Sequence, residues 1–308
     1  MPRRFTDICQ DRITFFGDVK KPDLTSELAD LDECLTEKST ASVLRRLQSL
    51  RSRVAGFGTV RVLNEDESGW AEIRRGWQLE ELGFRSAFHR LAGGEFSRIA
   101  LDKLALFLCT SVVIGETDVA RRYLQTTLGS VEHGLGKDRD WKNAELGRFI
   151  FRLLGNHFEL EVCEFPGGSK PGAFAALDKT WNEETRVQKT LKSLCTYHLH
   201  GTSSAGTKAN GEFITMPYDV FPVELLAIKF IWEHQFGDSL TLQDPLFRDN
   251  PLANVPEHLP PVKDSFLQSF ESALRKKLQP KLPRAKWKKT KAPSSTTRGR
   301  DSTTKRIR

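Results

Sequence analysis

Apolar residues return every three or four positions through three stretches of this chain. Phe96, Ile99, Ala100, Leu104, Phe107, Leu108 and Ser111 make one stripe. Val119, Ala120, Tyr123, Leu124, Thr127, Leu128 and Val131 make a second, and Leu146, Phe149, Ile150, Leu153, Leu154 and Phe158 a third. That interval is the period of an α-helix, on which residues three and four apart share a face. Gly115 stops the first helix, and Thr117 or Asp118 can cap the second. Similar spacing predicts helices over Gly69 to Leu91, Phe174 to about His198, Pro222 to Gly237 and Asp264 to Leu278. Two weaker patterns cover Leu24 to Leu35 and Ala41 to Val54, the second broken by Gly56 and Gly58. Strand candidates are confined to Arg12 to Phe16 and Phe213 to Met216, and Pro245 to Pro261 reads as irregular chain. The expected fold class is all-α, a compact multi-helix domain of about ten helices.

Composition divides the chain. Residues 1–22 read as an irregular N-terminal segment, 23–279 as the helical domain and 280–308 as a basic tail. The tail is expected to be disordered in the free protein, because apolar periodicity ends after Leu282. Thirteen of the 47 Lys and Arg, but one of the 40 Asp and Glu, fall in 276–308. That stretch therefore carries +12, and 1–275 keeps 34 bases against 39 acids, or −5. The high isoelectric point belongs to the tail, and the body is mildly acidic. No apolar run reaches the roughly 18 residues of a membrane span, since Asp102 and Lys103 interrupt Ile99 to Ile114. Asp7, Gln10, Asp11 and Arg12 follow the basic N-terminus where a secretory signal would be apolar, so a cytoplasmic location is expected. Five cysteines without a C-x-x-C pair suit reduced thiols. The stretch Ile114 to Leu124 resembles the turn of a helical hairpin in superhelical repeat proteins, in which small residues allow close approach. One clear copy is present.

Four constellations are candidates for chemistry. Gly201 to Lys208, with Gly206, nearly spells a phosphate-binding loop. However, Thr207 and Lys208 stand in the reverse of the order in which a lysine reaches phosphate and a hydroxyl holds magnesium. Cys195, His198 and His200 offer three possible metal ligands, with His157 and Cys163 as distant additions, but the doublet-and-spacer arrangement of zinc sites is missing. Glu159, Glu161 and Glu164 alternate at a helix end, where solvated carboxylates are the expected reading. In the tail, Lys286, Lys288 and Lys289 around Trp287 could contact nucleic acid or another acidic surface through cations and one stacking ring. No nucleophile-and-base motif is present. Thus no cofactor is expected, and the balance leans away from an enzyme.

The stretch Tyr218 to Asp264 is the most distinctive: Y-D-V-F-P-V-E-L-L-A-I, a helix, then D-P-L-F-R-D-N-P-L-A-N-V-P-E-H-L-P-P. Pro222, Glu224, Leu225, Leu226 and Ala227, with Pro245, Leu246, Pro251, Leu252, Pro256 and Pro260, resemble the C-terminal part of all-helical immunity proteins of bacterial polymorphic and type VI-secreted toxin systems. The resemblance implies a non-catalytic protein that neutralises a cognate toxin by direct binding. The acidic body suits a basic toxin, because complementary charge steers association. The alternatives are a nucleotide- or metal-dependent enzyme, or a nucleic-acid-associated protein acting through the tail.

Overall fold

Helix α4 (Leu101–Val113) forms the centre of the fold, and ten of its thirteen residues are buried. The computed structural model describes residues 4–18, 26–27, 40–92, 99–131, 141, 144–162, 164–165, 173–202, 213, 216–259, 262 and 267–272. The other helices are α1 (Phe5–Asp18), α2 (Thr40–Leu63), α3 (Gly69–Ala92), α5 (Thr117–Val131), α6 (Glu145–His157), α7 (Ala175–Thr180), α8 (Glu184–Gly201), α9 (Val223–Phe236) and α10 (Pro245–Arg248). A 3-10 turn, Pro251–Ala253, follows. Among the described residues there is no strand, so the fold is all-α. No described helix is long and apolar enough to cross a membrane.

Helix α4 packs against α3, α5, α6 and α9. Only a helix apolar on most of its circumference can do that. It ends as the sequence predicts. Gly115 adopts φ +82°, its N–H reaches the Val112 carbonyl, and the Glu116 N–H reaches Ser111 at 2.7 Å. This is a Schellman closure, which satisfies the last carbonyls of the helix and turns the chain into α5.

Helices α2 and α3 form the most extensive pair. The sequence places a break at Gly56 and Gly58, yet α2 runs unbroken through both. These glycines serve the packing seam. A Cβ on Gly58 would lie 2.5 Å from the Gly69 carbonyl oxygen, so the two backbones meet at a distance that no side chain allows. The Phe16 ring occupies the space above Gly56.

Within the segment 1–22 expected to be irregular, Phe5–Asp18 form α1, so Arg12 to Phe16 is helix and not strand. Phe5, Ile8 and Phe16 are buried and α1 lies on α2, so burial of one helical face outweighs the β propensity of the Ile-Thr-Phe-Phe run. The expected helix from Phe174 to His198 is split into α7 and α8 at Trp181 and Asn182. The proline strip has local order. Asp244 and Asn250 each accept the N–H of the leucine two residues on, so each Asx-Pro-Leu triplet opens a short helical turn and buries its leucine. Phe213 lies in a 3-10 turn. Residues 280–308 and most of the expected helix from Asp264 to Leu278 lie outside the described residues, although 267–272 is helical.

A candidate partner-binding groove

The sequence candidates separate in space. Cys195 and His198 are fully buried on α8, whereas His200 is exposed. Burial raises the Cys195 thiol pKa well above its ordinary value, with the Asp244 and Glu224 charges adding to the effect. His198 Nδ1 lies 2.6 Å from Glu224 Oε1 on α9, with both side chains shielded from solvent, and the Phe213 ring packs against the imidazole at 4.5 Å. This buried polar pair ties α8 to α9. Among the described residues no group of three His, Cys, Asp or Glu could hold a metal ion. Gly201 ends α8 and is buried, and a Cβ there would strike the Phe213 ring at 2.6 Å. Gly206, Lys208, Cys163, Lys286, Trp287, Lys288 and Lys289 lie outside the described residues. Glu159, Glu161 and Glu164 are all exposed.

A groove of about 510 Å3 lies where α6, the α7–α8 turn and α9 meet. Its apolar lining comes from Phe149 and Leu153 of α6, Ile231 of α9 and the half-buried Trp181. Trp181 is fixed twice. Its indole N–H donates to Gln235 Oε1 at 2.8 Å, and its carbonyl accepts the Trp232 indole N–H at 2.9 Å. The Arg152–Asp178 ion pair, Asn156 and Asn182 supply the polar lining.

Two histidines far apart in the sequence meet here. His157, in the last turn of α6, and His234, in the last turn of α9, have ring centroids 5.2 Å apart in an edge-to-face arrangement. Phe230 packs beside both, at 6.4 and 6.3 Å, and remains 39% exposed. Burial lowers the His157 pKa below 6.5, and repulsion by His234 lowers it further. The two imidazoles and an exposed phenyl ring therefore form one edge of the groove.

Glu159 lines the groove from a strained position. It sits just past α6 at φ +55°, where glycine is usual, and its N–H donates to Asn156 while the Leu160 N–H donates to Gly155. The Schellman closure holds it there and turns the chain so that Glu161 and Glu164 follow as exposed carboxylates. Glu183, paired with Arg186, and Glu184 are exposed directly after Asn182 in the chain, and Asp238 is exposed beyond the end of α9.

The described groove lining contains no Ser, Thr, Cys or Lys; its titratable groups are His157, His234, Glu159, Asp178 and Arg152. Asp178 is tied up with Arg152. Chemically, the site offers rigid aromatic contact, amide hydrogen bonds and a mildly acidic surround. Such a site is suited to recognition. Together, fold and site define an all-helical protein with an aromatic-edged groove. No protein family, curated protein or solved structure matches the chain.

Proposed function

We propose that this chain is a non-catalytic binding protein that docks a basic partner protein on the α6–α7–α9 groove, the partner being a cognate toxin that the contact neutralises. The observation that carries the reading is Phe230, an exposed phenyl ring beside a groove with a doubly anchored Trp181. Exposed aromatic anchors on a rigid support lose little conformational entropy on binding, which is why they dominate interface energetics.

The charge of the partner follows from the surround. Glu159 lines the groove, and Glu161, Glu164, Glu183, Glu184 and Asp238 are exposed within five sequence positions of lining residues, in a body that carries −5 over 1–275. The resemblance of Tyr218 to Asp264 to immunity proteins supplies the class of partner. Leu246 and Leu252 of that stretch are buried in the core, so its role is to support the fold that carries the groove.

Co-expression with a toxin encoded by a neighbouring gene tests the reading. The intact chain and one lacking 276–308 should both restore growth, while Phe230→Asp should not. An adjoining gene whose product is harmless, or rescue unaffected by Phe230→Asp, would overturn it.

A further inference from the structure

A second cavity, of about 220 Å3, opens between α2, α3 and the start of α4, and it does not share the groove's residues. Its walls are apolar: Leu47 of α2, Leu79, Phe84 and Ala87 of α3, and Ile99 just before α4. At its polar end stand Arg51, Glu80 and Lys103.

The charges there do not balance. Arg51 is 2% exposed, and one of its terminal nitrogens faces Glu80 Oε1 at 3.3 Å. Another donates to the Met216 carbonyl at 3.1 Å. The second oxygen of Glu80 accepts the Tyr218 hydroxyl at 2.6 Å, so this lone acid is already shared. Arg51 Nε is buried and has no acceptor. Lys103 has no ion-pair partner within 4 Å among the described residues. Burial, and then the Arg51 charge, lower its pKa. The buried Arg51 and the half-buried Lys103 thus both stand near one carboxylate at the cavity, where an added anion gains charge-assisted contacts.

Gly83 supplies the independent observation. It sits in the middle of α3 with ordinary helical backbone, and a Cβ built on it meets nothing within 4 Å. Neither close packing nor a turn requires glycine here, unlike Gly58 or Gly115. Its effect is to leave the cavity wall open. The cavity holds roughly seven waters' volume at about 30 Å3 each, which limits an occupant to a small molecule.

We propose that this cavity binds a small amphiphilic monocarboxylate, with its carboxylate between Arg51 and Lys103 and its hydrocarbon part against Leu47, Leu79, Phe84 and Ile99. Such sites are mostly apolar with a few converging polar groups that fix orientation. A carboxylate supplies an acceptor for the Lys103 ammonium and a negative charge beside the Arg51 guanidinium, while a neutral head group of the same size cannot neutralise the second cation.

The experiment is calorimetric titration of the full chain with sodium octanoate, and with octanamide as the neutral isostere. Octanoate should bind one-to-one with Kd of about 0.1–1 mM, as a ligand of its size allows. Lys103→Met should weaken binding about tenfold. Gly83→Leu should abolish it, since leucine fills the open space and is also the better helix former. Melting temperatures of the two variants, equal to or above wild type, confirm that the fold is kept. Octanamide should bind at least about tenfold more weakly than octanoate. Absence of octanoate binding, binding that survives Gly83→Leu in a folded protein, or equal affinity for octanamide would each overturn the proposal.

Discussion

Asp102→Asn separates charge from hydrogen bonding at the joint that holds α6, the helix that supplies one wall of the groove. Helix α6 begins at Glu145 with Ala144 as its N-cap and no side-chain cap of its own. Asp102, in the first turn of α4, acts from outside the helix: its Oδ1 accepts the Gly147 N–H at 2.8 Å. Burial nevertheless raises its pKa from 3.8 to about 6, against the lowering effects of that hydrogen bond and of Arg148. A carboxyl whose folded pKa is raised binds its proton more tightly in the folded state. Its contribution to stability is therefore complete below pH 3.8 and is lost as pH rises through about 6. The shift of about 2 units corresponds to at most about 3 kcal/mol at about 1.4 kcal/mol per unit, and solvent reaching the partly buried group reduces this to about 2 kcal/mol. Asparagine keeps the acceptor and has no charge to bury. In urea denaturation at pH 4 and pH 7.5, the variant should gain about 2 kcal/mol relative to wild type between the two pH values. Asp102→Ala, which loses the cap, should be destabilised by about 1 kcal/mol at pH 4. A difference between Asp102→Asn and wild type that is independent of pH would refute the reasoning.

Three further outcomes follow. Arg12→Met leaves the fully buried Asp219 without its cation and should cost about 3 kcal/mol in denaturant, most of it recovered when Asp219→Asn is added. Glu159→Gly should raise stability by about 0.5–1 kcal/mol by relieving the positive φ, while slowing association with a basic partner because one acid leaves the groove. His234→Asn should raise the His157 pKa towards 6.5 in an NMR titration. Because that pKa is depressed in the folded state, the stability His157 contributes is present above 6.5 and lost as pH falls below it.

How much of this was legible in the sequence depended on how local each signal is. Helices α4, α5 and α6 declared themselves because their buried faces repeat at the helical period, and the Gly115 closure needs only its neighbours. Helix α1 did not, because Arg12 to Phe16 has strand propensity and only docking on α2 and the Asp219 carboxylate makes it helical. Gly56 and Gly58 misled for the same reason: glycine weakens a helix locally, while the partner that needs the missing Cβ comes from α1 or α3. The groove was invisible, since His157 and His234 stand 77 positions apart and nothing in their spacing predicts contact. The Cys195, His198 and His200 cluster was the converse case. Its spacing on α8 points two side chains into the core and the third to solvent.

The proposal that the groove is the seat of partner recognition is tested most directly by binding kinetics against a toxin-like protein encoded by a neighbouring gene, comparing wild type with Phe230→Asp. The account predicts that the association rate of wild type falls as salt rises while dissociation changes less. It also predicts that Phe230→Asp weakens affinity by about a hundredfold, chiefly through faster dissociation, with no loss of thermal stability. Wild-type affinity retained by Phe230→Asp would contradict it.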